Sequence, residues 1–260
     1  MHGMEIRLGN KQFIIVVGPA GCGKTTLVKS FGKWVSKVQG IEVGYVNLDP
    51  GAEKVLYEAY FDVRSIVKVR DVMKTYGLGP NGAFLKSMKI IHENLEKVVN
   101  GIVQTEYDYV LIDTPGQMEL FVFKREGPSI VACLERYGVP IAVSVYDPSL
   151  AENPIDIVNL KFLTTIVQLR LGVESVPVLN KADLLGEGWI ARLLDDEEAL
   201  LKSLQKEKGI EADLALNMAK VLKEFRQASR IVRVSAKNME GMEELYDILH
   251  EVYCTCGDLT

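Results

Sequence analysis

Gly18-Pro19-Ala20-Gly21-Cys22-Gly23-Lys24-Thr25 fills the pattern G-x-x-x-x-G-K-[ST] at every fixed position, directly after the apolar run Phe13 to Val17. A buried strand, a glycine-rich turn and the opening of a helix form the context in which this pattern cradles phosphates. Glycines let the backbone close around an anion, so that amide N–H groups and the helix N-terminus face its charge. Lys24 is then placed to reach the β- and γ-phosphates of a nucleotide. The Thr25 hydroxyl can supply one oxygen to Mg²⁺, while Thr26 supports the loop. The bland alternative is a glycine turn that binds nothing.

Outward from this loop, short β-branched runs recur at Val43 to Leu48, Tyr109 to Ile112, Ile141 to Tyr146, Val176 to Leu179 and Ile231 to Val234. Near-continuous apolarity marks strands buried on both faces. With helical patterns such as Thr25 to Val38 and Leu160 to Leu171 between them, the spacing predicts an α/β fold: a mainly parallel sheet covered by helices on both faces. Active residues then belong at the C-terminal ends of the strands. Two long connections, about 50–108 and 184–229, carry helical patterning and read as insertions in a single domain spanning 1–260. The second holds Leu193, Leu194, Leu200, Leu201 and Leu204, then Leu214, Leu216, Met218, Val221, Leu222 and Phe225, and reads as helices packing on the core. Within the first, Phe84 to Val99 predicts one helix with Phe84, Leu85, Met88, Ile91, Leu95 and Val98 on a stripe.

Composition narrows the class. A chain of 260 residues with 48% hydrophobic and 25% charged residues is long enough to bury a substantial core. A net charge of -5 argues against broad nucleic-acid binding, which needs a basic surface. Cys22, Cys133, Cys254 and Cys256 are too irregularly spaced for a disulfide framework, so a reducing compartment, the cytoplasm, is expected. No second pair or nearby histidine completes a metal site around the C-x-C of Cys254 and Cys256, and His2, His92 and His250 are isolated. The first residues lack a basic and apolar leader, and no apolar run approaches a bilayer's thickness, so neither export nor membrane insertion is expected.

Three further motifs follow predicted strands in order. Asp113-Thr114-Pro115-Gly116-Gln117 places a carboxylate where it can hold Mg²⁺, directly or through water. Gly116 permits close approach to a terminal phosphate, and Gln117 is placed to orient a water for in-line attack. Read alone, this stretch is an ordinary turn. Asn180-Lys181-Ala182-Asp183 matches N-K-x-D. A carboxylate at Asp183 can accept from guanine N1–H and the 2-amino group, and adenine offers neither donor. Asn180 can tie this loop to the phosphate loop, and the aliphatic stem of Lys181 can cover the purine face. In Ser235-Ala236-Lys237, the Ala236 N–H can donate to guanine O6. GTP and GDP with Mg²⁺ are therefore the expected ligands.

With these motifs, an Asp49-Pro50 pair after the second strand and Gly79-Pro80-Asn81 in the following insertion resemble the GPN-loop GTPases over nearly the whole chain. The resemblance implies a P-loop α/β domain and a homodimer in which each Gly79-Pro80-Asn81 enters the partner's nucleotide site. Asn81 would then stabilise the γ-phosphate region in trans by hydrogen bonding, and Asp49 would position a water or cap a helix. Gly51 departs from the alanine that often stands there. The family's eukaryotic members are associated with RNA polymerase assembly and import, which implies a role in assembling other proteins with an unnamed client. Because the chain stops soon after the helical Met242 to Val252 stretch, a compact archaeal-type member is expected. Other readings are a guanine-nucleotide sensor with negligible turnover, and a P-loop ATPase or nucleotide kinase. The extra signature lysine of some dimeric P-loop ATPases is absent, since Ala20 and Gly21 occupy that stretch.

Overall fold

Alternation within the first strand shows why the sheet is buried on both sides. Phe13, Ile15 and Val17 enter one apolar layer while Ile14 and Val16 enter the other, all at 2% exposure or less. The structure, a computed structural model, describes residues 11–185, 189–224 and 230–257. Its strands are β1 (Lys11–Val17), β2 (Val43–Asn47), β3 (Phe61–Asp62), β4 (Tyr109–Asp113), β5 (Gly138–Tyr146), β6 (Ser175–Leu179) and β7 (Val232–Arg233). They form one sheet in the order β3-β2-β4-β1-β5-β6-β7, with every pair parallel. The winding order of the strands reverses at β1, with β2 to β4 on one side and β5 to β7 on the other, and this switch point opens the crevice where ligands of such sheets bind.

Helices α1 (Lys24–Trp34) and α11 (Met242–Gly257) cover one face through Leu27, Val28, Phe31, Leu245 and Leu249. On the other face lie α2 (Val69–Tyr76), α3 (Pro80–Glu93), α4 (Leu95–Val103), α5 (Met118–Val122), α6 (Glu126–Leu134) and α7 (Pro154–Leu171). Beyond α7, α8 (Trp189–Asp195), α9 (Glu197–Leu204) and α10 (Ile210–Glu224) build a third layer on Leu193, Leu194, Leu200 and Leu204. Leu214 and Val221 face solvent rather than the core, and Phe225 lies outside the described residues, as do His2 and the side chain of Cys256.

One expectation is corrected, and two local features carried no sequence signal. The helix expected over Phe84 to Val99 is two helices broken at Asn94, whose side chain turns back to the Ile90 carbonyl at 2.8 Å. Competition of this kind is why asparagine favours helix ends. Met88, Ile91 and Val98 of the stripe are buried, but Leu85 is 40% exposed. The edge strand β3 went unseen because two residues carry no periodicity. Gly79-Pro80-Asn81 opens a helix: Gly79 caps α3, Pro80 takes its first position and Asn81 lies in its first turn.

Candidate active site

Lys24 is the centre of the phosphate loop. Its ammonium is buried and donates to the carbonyls of Gly18 (2.8 Å), Pro19 (3.0 Å) and Gly116 (3.1 Å), joining the turn after β1 to the turn after β4. Three acceptors satisfy a cation that burial would otherwise penalise. The turn needs its glycines: Gly23 has φ of 91°, and a Cβ there would stand 2.5 Å from Asn180 Nδ2. Cys22 is buried, and burial pushes its thiol up, so it packs as an inert apolar group.

Asp113 ends β4 beside this loop. Its Oδ2 accepts from the Tyr57 hydroxyl at 3.0 Å, while its buried Oδ1 has no hydrogen-bond partner among the described residues. Burial pushes its carboxyl up to about 6, against the pull of the Thr25 and Tyr57 hydroxyls and the Lys24 charge. Asp49 is half-buried; burial raises its pKa, opposed by the Gly51 and Gly116 amides and by Lys24. It accepts from the Gly51 amide at 2.8 Å, so it caps a turn rather than a long helix. A relay behind it fixes that turn. Asn47 accepts from the Asp49 amide and donates to Asp62, while Arg64 grips Asp62 and reaches the Ala52 carbonyl. Gly51 also has a reason of its own: a Cβ there would meet the Phe84 ring of α3 at 2.5 Å. Gln117 and Asn81 are exposed.

A second cavity, of about 380 Å³, is lined by Gly23, Thr26, Asn180, Lys181, Asp183, Leu184, Ala236 and Lys237. Asn180 is its keystone, donating to the Cys22 carbonyl at 2.8 Å and accepting from the Ala236 amide at 3.1 Å. Ser235 turns inward and donates to Asp183 Oδ1 at 2.6 Å. Lys181 is held by Asp147 at 2.5 Å, and although burial pushes the Asp147 carboxyl up, Lys181 and Ser149 hold it below the usual range. The phosphate, metal and base motifs therefore gather at the C-terminal ends of β1, β4, β6 and β7, while Asp49 follows β2 and Asn81 lies in the first turn of α3. Tyr57, Asp147 and the relay of Asn47, Asp62 and Arg64 are additions that no short motif announces.

A family model described as a conserved hypothetical ATP binding protein matches residues 16–255. The GPN-loop GTPase PAB0955 of Pyrococcus abyssi is 38% identical over 252 residues, 95% of this chain and 99% of that protein. The chain belongs to the GPN-loop GTPases. Within this family of P-loop GTPases, the crystal structure titled PAB0955, a GTPase in apo form, superposes with a TM-score of 0.85 at 37% identity, covering 94% of this chain and 98% of that one. GPN-loop GTPase QQT2 of Arabidopsis thaliana is 31% identical over 89% of this chain, and GPN-loop GTPase 1 of Dictyostelium discoideum is 27% identical over 90%. The chain spans only 61% and 59% of those two proteins' lengths. Among the described residues, no helix is long and apolar enough to cross a membrane.

Proposed function

We propose that this GPN-loop GTPase binds GTP with Mg²⁺ and hydrolyses it to GDP and phosphate, acting as a homodimer in the assembly of other protein complexes. The observation that carries the reading is the base cavity. Asp183 lines it with one carboxylate oxygen bonded to Ser235, and Ala236, whose amide donates to Asn180, lines it as well. The Asp183 carboxylate complements the N1–H and 2-amino donors of guanine, which adenine lacks, and this favours guanine over the adenine nucleotide in the matching family model's description.

Thr25 and Asp113 fit a cation, because the buried Asp113 Oδ1, with no hydrogen-bond partner among the described residues, is an oxygen ligand position. Mg²⁺ bound there would offset charge between the β- and γ-phosphates. Lys24 would exchange its loop carbonyls for phosphate oxygens, and the Ala20 to Thr26 amides would wrap the anion. Gln117 and Asp49 flank the approach of the attacking water. In the partner, Asn81 stabilises γ-phosphate charge; its exposure at a helix N-terminus supports that role. Solubility in the cytoplasm accords with the cysteine usage, and the client is a protein of unspecified identity, RNA polymerase being the one suggested by the family.

Subunit mixing tests both hydrolysis and the trans contribution. Asn81→Ala and Lys24→Ala proteins, each inactive alone, should regain about a quarter of native turnover when mixed equally, since half the dimers then hold one intact composite site of two. Full activity of Asn81→Ala alone would remove the trans role.

A further inference from the structure

Asp147 lies at the end of β5, outside every nucleotide motif, yet its Oδ2 takes the Lys181 ammonium at 2.5 Å. The carboxylate is itself fixed. Its Oδ1 accepts from the Ser149 amide at 3.1 Å and the Ser149 hydroxyl at 2.9 Å, capping the turn Pro148–Leu150. Sheet register brings the two loops together: Tyr146 pairs with Leu179, and the Asn180 amide donates to the Tyr146 carbonyl at 2.9 Å. Lys181 has φ of 58°, a left-handed backbone that residues with a Cβ seldom adopt, so its side chain leaves the loop in an imposed direction.

The charges in this corner compete. Lys181 and Lys237 line the base cavity together with Asp183. An unanchored ammonium two residues from Asp183 would pair with the carboxylate that guanine needs. The arrangement sorts them, with Lys181 going to Asp147 and one oxygen of Asp183 to Ser235. We propose that Asp147 is a positioning residue for base selection: it anchors the Lys181 ammonium, so that the lysine stem lies along the purine face and Asp183 stays open to the base. The inference rests on the guanine reading of the cavity.

The test is a double-mutant cycle on GDP dissociation constants, with ADP as control. Asp147→Asn and Lys181→Met should each weaken GDP about fivefold, an effect held modest by partial exposure of the pair. The double variant should be no more than about twofold worse than either, because both remove one interaction. Asp147→Ser keeps an oxygen for the turn and removes the charge, so it supplies the folded protein if the asparagine variant fails to fold. Ser149→Ala should stay within about twofold of native. Native GDP affinity in both Asp147 variants, multiplied losses in the double variant, or an equal loss in Ser149→Ala overturns the proposal. Asp183→Asn reports separately on the guanine reading. If it binds GDP as well as the native protein, that reading fails; if it alone is weakened, only the role of Asp147 fails.

Discussion

Burial pushes the Asp113 carboxyl up to about 6, and its Oδ1 lies buried without a partner among the described residues. A carboxyl raised above its unfolded value favours folding while protonated, and that contribution is lost as pH rises from about 4 through about 6. Ionised Asp113 therefore destabilises the nucleotide-free fold near neutrality, by at most about 3 kcal/mol. Asp113→Asn should melt higher than the native protein at pH 7.5, converge with it below pH about 4, and lose Mg²⁺-dependent turnover. Thermal melts at the two pH values check this. Gly23→Ala meets both a left-handed backbone and the Asn180 amide, so nucleotide binding should fall together with about 1–2 kcal/mol of stability, read by GDP titration and urea unfolding. The residues inside motifs were legible because their spacing is itself the chemistry. Tyr57 was not, since its hydroxyl meets Asp113 across 56 positions of chain and only the β2–β4 pairing brings them together.

At the scale of elements, α3 links the Gly79-Pro80-Asn81 start to the Asp49 turn through the contact of Phe84 with Gly51. Phe84→Ala removes that wedge from a half-buried position. It should cost about 2 kcal/mol, a fall of about 5 °C in Tm, and lower turnover beyond what the lost stability accounts for. A calorimetric melt beside a turnover assay at a temperature where both proteins are folded separates the two effects. Amphipathic periodicity gave away most helices, including the leucines of α8 and α9. It overran Asn94, because the apolar stripe continues in phase across a break made by a local side-chain bond. Periodicity likewise gave no sign that α3 begins at Pro80, although proline suits a first helical position.

Across the whole molecule, the strand order places four separate sequence motifs on one edge of the sheet, at the ends of β1, β4, β6 and β7. That convergence was legible from the order of motifs alone, because parallel strands all deliver their C-terminal loops to the same side. The short edge strand had no such signal, since two residues carry no periodicity. Selective GTP hydrolysis at this edge is checked by steady-state phosphate release with Mg²⁺, comparing GTP with ATP for the native chain, Gln117→Ala and Asn81→Ala. The expected result is turnover of GTP and not ATP, lost in both variants while GDP binding persists. Equal turnover of ATP, or no phosphate release from GTP by the native chain, would contradict it.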